Sequence, residues 1–297
     1  MKRIFEVAVV IIIALASYFA GSFYKWLFSL MAIYALITIS WNFMKTIGRL
    51  SMGHALLFGL PAYVSAIAYQ YSFELSLYLY PLTVILSGIL FFIFSKITGR
   101  TAFVFLTLIA SITLWVLAPK IVVEKDGTLI GGEVGFDFFN ASSDHIFFLS
   151  LISLVVIYVL ASWILSSRFG YFMRAVGDDE TASKAVGINV DRVKFTAIVF
   201  SSIFSGIAGL LYALDFGHVS YEVFSVEISI FPFVASLLSG GSPFLSVISS
   251  FFLVFLKRSL NSIYPGLMDV FYALVLVFSP KIGGLVYVKG KKLIEKL

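Results

Sequence analysis

Long apolar runs, each broken by a charge, a glycine or a proline, dominate the chain. They fall near residues 4–22, 26–44, 50–70, 75–95, 101–118, 145–166, 195–214, 226–239, 243–257 and 263–286. Within each run the apolar residues are continuous rather than alternating, so the pattern predicts helices and not the strands of a barrel. About 20 apolar residues carry a helix across the hydrocarbon of a bilayer. The expectation is an all-α, polytopic transmembrane helix bundle of about ten spans, with residues 1–297 forming one domain. The stretch 226–257 reads either as two spans or as a re-entrant hairpin turned by Gly240-Gly241-Ser242-Pro243. No repeat of fixed period and no low-complexity tract is evident.

Composition sharpens this picture. Of the residues 60% are hydrophobic and 12% charged, and the mean hydropathy is +1.03. A soluble domain carries roughly 25% charged residues, so no soluble core hides this much apolar side chain. A pI near 9.2 raises nucleic acid as a partner, but the Lys and Arg flank apolar runs and read as topology signals instead. With ten spans both termini share one side. Lys25, Lys120, Lys125, Lys257 and Arg258 fall on the other side, leaving sixteen of the 21 basic residues with the termini. The positive-inside rule makes that basic side cytoplasmic. Lys257 and Arg258 are the local exception. The first run, with Lys2-Arg3 before it and small residues at Ala20-Gly21-Ser22, is similar to a signal peptide, but its apolar stretch is longer and further spans follow; it reads as an uncleaved first helix. There is no cysteine, hence no disulfide or thiolate metal site.

Two polar segments interrupt the apolar pattern. Residues 119–144 form an external loop with Glu124, Asp126, Glu133, Asp137 and Asp144 among several glycines. It reads as a solvated connector or as a docking surface for an external partner. Residues 168–194 carry the longest run of charge. Asp178 is placed to cap a short helix whose first turn holds Asp179 and Glu180, where the positive helix end favours carboxylates. Gly187 fits the stop. Between them Ala182, Ala185 and Val186 share one face. Such a helix of small knobs suits the groove of a partner protein; a solvated surface turn fits the spacing equally.

The residues from Ser167-Arg168-Phe169-Gly170 to Ala208-Gly209 resemble a signature of the permease subunits of branched-chain amino acid ABC transporters. Arg168, Gly170, Arg174, Ala175, Ala182, Gly187, Ile188, Asn189, Lys194 and Gly206 to Gly209 match its pattern. Trp41-Asn42, then Ser51-Met52-Gly53-His54-Ala55 and Phe58-Gly59 to Ala62-Tyr63, is similar to a second motif of that family. Thr101 to Leu108 with Gly131-Gly132 and Gly135, and Ser279-Pro280-Lys281 with Gly283, resemble two more. These matches run in order from about residue 41 to 285. Pro61 departs from the family's usual Gly and Arg49 from its common Gln. The resemblance implies a multi-pass plasma-membrane permease for branched-chain amino acids, urea or a related small polar solute. It also implies cytoplasmic ATPase subunits, a second homologous permease subunit and an external solute-binding protein as partners. Arg174, Asp178, Asp179, Glu180, Ala182, Ala185, Gly187 and Asn189 then become the candidate ATPase-coupling residues.

A second candidate set is Ser51, Gly53, His54 and Tyr63, which would line a translocation path or a subunit interface. On a helix Ser51 and His54 share a face, and Tyr63 returns to within about 40° of Ser51. An ionisable residue at membrane depth is a functional candidate by default; a structural hydrogen bond from His54 to a neighbouring helix is the plainer reading. Asp269 with Tyr272 reads as a buried hydrogen-bonded pair. Ser202 with Gly206, and Ser205 with Gly209, are small pairs that permit close helix packing. Catalytic chemistry finds no motif: Gly290-Lys291 lacks the rest of a phosphate-binding loop, no zinc-protease helix is present, and no cofactor is expected. The expected function is the membrane subunit of an ATP-driven importer, with an ion-coupled secondary transporter as the alternative.

Overall fold

A computed structural model describes residues 2–277 except 126, 265, 269 and 276. Its helices are α1 (Lys2–Ala20), α2 (Ser22–Thr46), α3 (Ala55–Tyr69), α4 (Phe73–Ile97), α5 (Arg100–Leu117), α6 (Ser143–Ser166), α7 (Arg168–Asp178), α8 (Glu180–Ala185), α9 (Val190–Phe216), α10 (Val226–Ser239) and α11 (Pro243–Ile263). The chain is an all-α polytopic bundle. Seven of the described helices are long and apolar enough to cross a membrane: α1, α2, α4, α5, α6, α9 and α11.

Helix α2 is the hub. Of its apolar window 83% is buried, against 11% for α1, so α2 is wrapped by protein and α1 presents most of its surface to lipid. Helices α9, α11, α6, α10 and α1 all pack on α2. The close approaches rest on small residues. A Cβ at Gly209 would stand 2.2 Å from the Phe58 carbonyl oxygen, and one at Gly206 would stand 2.6 Å from a Val84 methyl. The small faces of α9 are thus filled by α3 on one side and α4 on the other.

Sidedness is legible in cross-ties at the helix ends. Arg3 at the start of α1 donates to Ser166 Oγ at the end of α6 (2.6 Å). Lys25 at the start of α2 pairs with Asp144 at the start of α6. Residues 168–189 therefore lie on the same face as the start of α1. The loop 119–142 lies on the opposite face and contains short strands. Strands β1 (Val122–Lys125) and β2 (Thr128–Gly131) form an antiparallel hairpin, and β3 (Phe136–Asp137) pairs with β4 (His218–Val219) beyond α9.

Two expected spans come out differently. The run 50–70 is helical only from Ala55, and the 226–239 run is a helix of 14 residues. At 1.5 Å per residue the two helices reach about 22 and 21 Å, short of the roughly 30 Å hydrocarbon layer. Helix α10 turns into α11 at Gly240 and Gly241, both in the left-handed region (φ +62° and +87°). A short helix is thus followed by one long enough to span. Half of the tenth run, 263–286, including Asp269 and the Ser279-Pro280-Lys281 motif, lies outside the described residues.

Candidate functional site

Each short helix is preceded by a non-helical segment sunk into the bundle. From the α2 end, residues 47–54 turn back inward. Gly48 (φ +71°) makes the turn, and Gly53 is pressed against α5 so closely that a Cβ would lie 1.8 Å from the Thr107 carbonyl oxygen. From the opposite face, β4 and a 3₁₀ turn at Tyr221–Phe224 lead into α10, and the Phe224 carbonyl accepts from Ser111 on α5 (2.9 Å). The two helix starts meet inside the bundle, where the Ala55 amide donates to Ser229 Oγ in the first turn of α10 (2.9 Å). Unsatisfied amides and the helix dipole make such a meeting point electropositive. Broken helices with starts near mid-depth are a recurring way to build a transport site.

His54 occupies the N-cap position of α3, fully buried. Its Nε2 lies 2.9 Å from Ser40 Oγ on α2. The Ser40 hydroxyl donates to the Ser201 carbonyl (2.7 Å), and the Ser201 hydroxyl donates back to the Ser40 carbonyl (3.0 Å). Ser40 Oγ also lies 3.0 Å from Ser201 Oγ, so the three side chains form one buried hydrogen-bonded cluster. Nδ1 and Ser51 Oγ are buried without a hydrogen-bond partner among the described residues. Tyr63, in the middle of α3, is also buried, but it bonds the Ala118 carbonyl beyond α5 (2.9 Å). Nine residues of helix separate it from His54, about 13 Å. Ser51 and Gly53 are not on the helix, so the shared face expected for Ser51, His54 and Tyr63 does not exist. The chain is non-helical over residues 49–53, where Gly53 passes tightly along α5. Ser51, Gly53 and His54 form one local group and Tyr63 stands apart.

At the other candidate set, α7 buries Gly170, Met173 and Val176 and leaves Tyr171 and Phe172 outward. Arg174 stays on its own helix hairpin, donating to the Leu165 carbonyl (3.0 Å) and covering the Tyr171 ring. The cap of α8 is Asp179, not Asp178: its Oδ1 accepts from the Thr181 and Ala182 amides (2.7 and 3.0 Å). Asp178 is the last residue of α7, and its carbonyl accepts from Arg100. The two capping amides hold the Asp179 carboxyl below its usual range. Gly187 (φ +84°) ends α8, and Asn189 caps α9 through the Arg192 amide (3.0 Å). Ala182, Ala185 and Val186 are exposed, while Ser183 beneath them is buried.

Glu180 ties this exposed helix to the interior. Its carboxylate accepts from Arg49 (3.2 Å) and from Lys194 in the first turn of α9 (2.6 Å). Arg49 also donates to the Thr98 carbonyl (2.8 Å). Burial alone would raise the Glu180 carboxyl; the hydrogen bond from Lys194 and the charges of Lys194, Arg49 and Arg100 outweigh it, so it sits below its usual range. Gly177 adds a second joint, since a Cβ there would lie 2.2 Å from the Thr46 carbonyl oxygen. Both joints grip residues 46–49, from which the chain runs to His54.

A family model described as branched-chain amino acid transport system / permease component matches residues 23–280. The chain belongs to this family. The Escherichia coli protein named high-affinity branched-chain amino acid transport system permease protein LivM is 30% identical over 146 residues, 47% of this chain and 34% of LivM. The guanosine ABC transporter permease protein NupQ of Bacillus subtilis is 25% identical over 169 residues, 50% of this chain and 52% of NupQ. A probable branched-chain amino acid transport permease protein LivM of Methanocaldococcus jannaschii is 27% identical over 126 residues, 42% of this chain and 36% of that one. The matched segments thus span about a third to a half of these relatives' own length. No solved structure matches the chain significantly. Family and apolar helices together make this permease-family member a multi-pass plasma-membrane protein.

Sequence reasoning passed over the partners that make the sites. Arg49 stood out only as a departure from the family pattern and Lys194 only as a match to it. An ion pair between residues 131 positions apart leaves no periodic trace. Ser40, Ser201 and Ser229 sit in apolar helices where serine is common; the single available signal was polar residues inside runs that face other helices.

Proposed function

We propose that this chain is the transmembrane permease subunit of an ATP-driven importer, with residues 168–194 on the cytoplasmic face, where they engage a separate ATPase. The observation that carries this reading is the Glu180 tie. An exposed capped helix with a small-residue face (Ala182, Ala185) is joined through Glu180 to Arg49, and Arg49 stands at the start of the segment leading to His54 and α3. A partner that grips α8 and moves it acts directly on the junction of the two short helices. The exposed aromatic pair Tyr171 and Phe172 beside α8 widens the surface a partner would cover.

The cargo in this reading is a branched-chain amino acid or a related small polar solute. A second homologous permease subunit completes the pathway, and an external solute-binding protein docks on the face carrying the β1–β2 hairpin. The chain supplies no ATP chemistry of its own. Ser51, Gly53 and His54 belong to the translocation path at the meeting of the helix starts; Tyr63 ties the middle of α3 to Ala118 beyond α5.

The test is reconstitution. The tagged chain, expressed with its candidate partners and purified from membranes, should bring down a cytoplasmic ATPase and a second permease. In liposomes the complex should take up solute only with ATP and the external binding protein. Uptake by the chain without any ATPase, driven by an ion gradient, would overturn the proposal in favour of a secondary transporter. Mass spectrometry of the ligand carried by the binding protein names the cargo.

A further inference from the structure

A cavity of about 380 Å³ opens between α2, α9 and α11 on the half of the bundle away from α8. Tyr34 and Leu30 of α2, Tyr212 of α9, and Lys257, Arg258 and Asn261 of α11 are among its walls. Arg258 lies five residues, about 8 Å, from the end of α11, and Tyr34 lies twelve residues, about 18 Å, into α2. The cavity thus runs from near the surface towards mid-depth. At its floor the Tyr34 ring packs on Phe231 of α10, centroids 4.4 Å apart, and Phe231 is two residues from Ser229, which receives the Ala55 amide. One aromatic layer separates the cavity from the junction of the short helices.

The charges of this cavity are unequal. Lys257 is answered by Glu227 in the first turn of α10. Arg258 makes no ion pair among the described residues; it is solvent-exposed, and its guanidinium carbon stands 4.3 Å from the centre of the Trp26 ring. A ring face holds the guanidinium in position without using up its N–H donors. A planar fork of donors beside a ring face, without an ion-pair partner among the described residues, suits a carboxylate taken two oxygens at a time. These are also the two cations that break the positive-inside pattern of the chain, a departure that lipid insertion alone does not require.

We propose that this cavity is the external receiving site for the transported solute, that Arg258 binds a carboxylate of that solute, and that Tyr34 and Tyr212 hold its apolar body. The substrate class is then small carboxylic acids such as α-amino acids, in preference to neutral nucleosides. The inference rests on the importer reading above. The Tyr34–Phe231 pair is the barrier the solute must pass.

The test uses the full-length protein in phosphatidylcholine nanodiscs, with thermal stability and tryptophan emission as readouts. L-Leucine should bind saturably at millimolar concentration. L-Leucinamide, which lacks the carboxylate, should bind about 10- to 100-fold more weakly, the worth of a hydrogen bond to a charged group. Arg258→Gln should impose the same loss on leucine, and Arg258→Lys should keep part of the affinity. The amide comparison needs no variant and stands even if Arg258→Gln fails to fold. Equal binding of leucine and its amide, stronger binding of adenosine that survives Arg258→Gln, or no binding of any probe would each overturn the proposal. So would stabilisation by added phosphatidylglycerol that depends on Arg258 without any response to leucine, which would mark a lipid headgroup site. A chain that binds leucine but brings down no ATPase would keep this site and sink the importer reading instead.

Discussion

Replacing Glu180 by Gln removes the carboxylate that Arg49 and Lys194 share while keeping the size and one hydrogen-bond acceptor. The two cationic side chains are each 5% exposed and Glu180 is 26% exposed. Breaking a fully buried pair costs about 3–5 kcal/mol, and an exposed pair contributes about 0–1 kcal/mol. With the cations buried and the carboxylate a quarter open to solvent, we expect a cost of roughly 2–3 kcal/mol. At about 1.4 kcal/mol per decade, the population with α8 detached from Arg49 rises on the order of 30- to 150-fold. In reconstituted complexes, ATP hydrolysis should continue while solute moved per ATP falls steeply. Arg49→Gln should act through the same tie, so that the double variant is little worse than either single one, a non-additivity that marks direct partners. An unchanged ratio of uptake to hydrolysis in Glu180→Gln would refute the lever.

The pH dependence of this tie follows from the lowered Glu180 carboxyl. Its folded pKa lies below the unfolded one, about 4.3. The stabilisation is therefore complete above that value and is lost only as pH falls through the lower folded value. Coupling should be flat from about pH 8 to pH 5, as measured by uptake per ATP with the cytoplasmic-side buffer varied. A loss centred near pH 6 to 7 would show that another group governs it.

Three further outcomes are expected. Ala182→Trp leaves the permease itself folded, because Ala182 is exposed, but overfills the partner's groove by roughly 1–3 kcal/mol, so co-purification of the ATPase drops. In this cysteine-free chain Lys184→Cys should label only from the cytoplasm and Thr128→Cys only from outside, read by a membrane-impermeant maleimide on intact cells; Ser183 is too buried to serve. Gly53→Ala places a Cβ 1.8 Å from a backbone oxygen of α5, a clash beyond the usual cost of overpacking, and should abolish the monodisperse peak in detergent chromatography.

The fold class, most helix positions and the exposed capped helix were legible because each leaves a local mark: apolar length, a capping carboxylate, a glycine stop. The short helices were not. The run 50–70 is apolar enough to read as a span, and nothing local says that Gly53 must lie flat against Thr107. The residue that Gly53 meets is more than fifty positions away. The cap shifted by one residue for a similar reason. Asp178 and Asp179 are equivalent on paper, and α7, continued by its own packing on α2, takes Asp178 as its last turn. For His54 the reading of a structural bond to a neighbouring helix matches the geometry at Nε2, while the unpartnered Nδ1 keeps a role in the path open to experiment by His54→Ala.

Two of the joints between the exposed segment and the bundle converge on one place. Helix α8 reaches the bundle through the Glu180 pair, and α7 through the contact of Gly177 on Thr46. Both arrive within four residues of one another at the end of α2. Helix α2 itself is enclosed on most sides, so it resists displacement as a unit. Residues 47–54 are the softer element: outside regular helix, yet pinned at Gly53 with no spare volume. A push on Arg49 therefore has little room to dissipate before His54, where the chain is held by Ser40 and, one residue on, by Ser229 of α10. Since α10 is entered from the opposite face and α3 from this one, a shift at Ala55 is felt by α10, whose Phe231 packs behind Tyr34 of the outer cavity wall. Cytoplasmic movement and external access would thereby be linked through one hydrogen bond between two helix starts, and weakening that bond with Ser229→Ala should separate ATP hydrolysis from solute release more than it destabilises the protein.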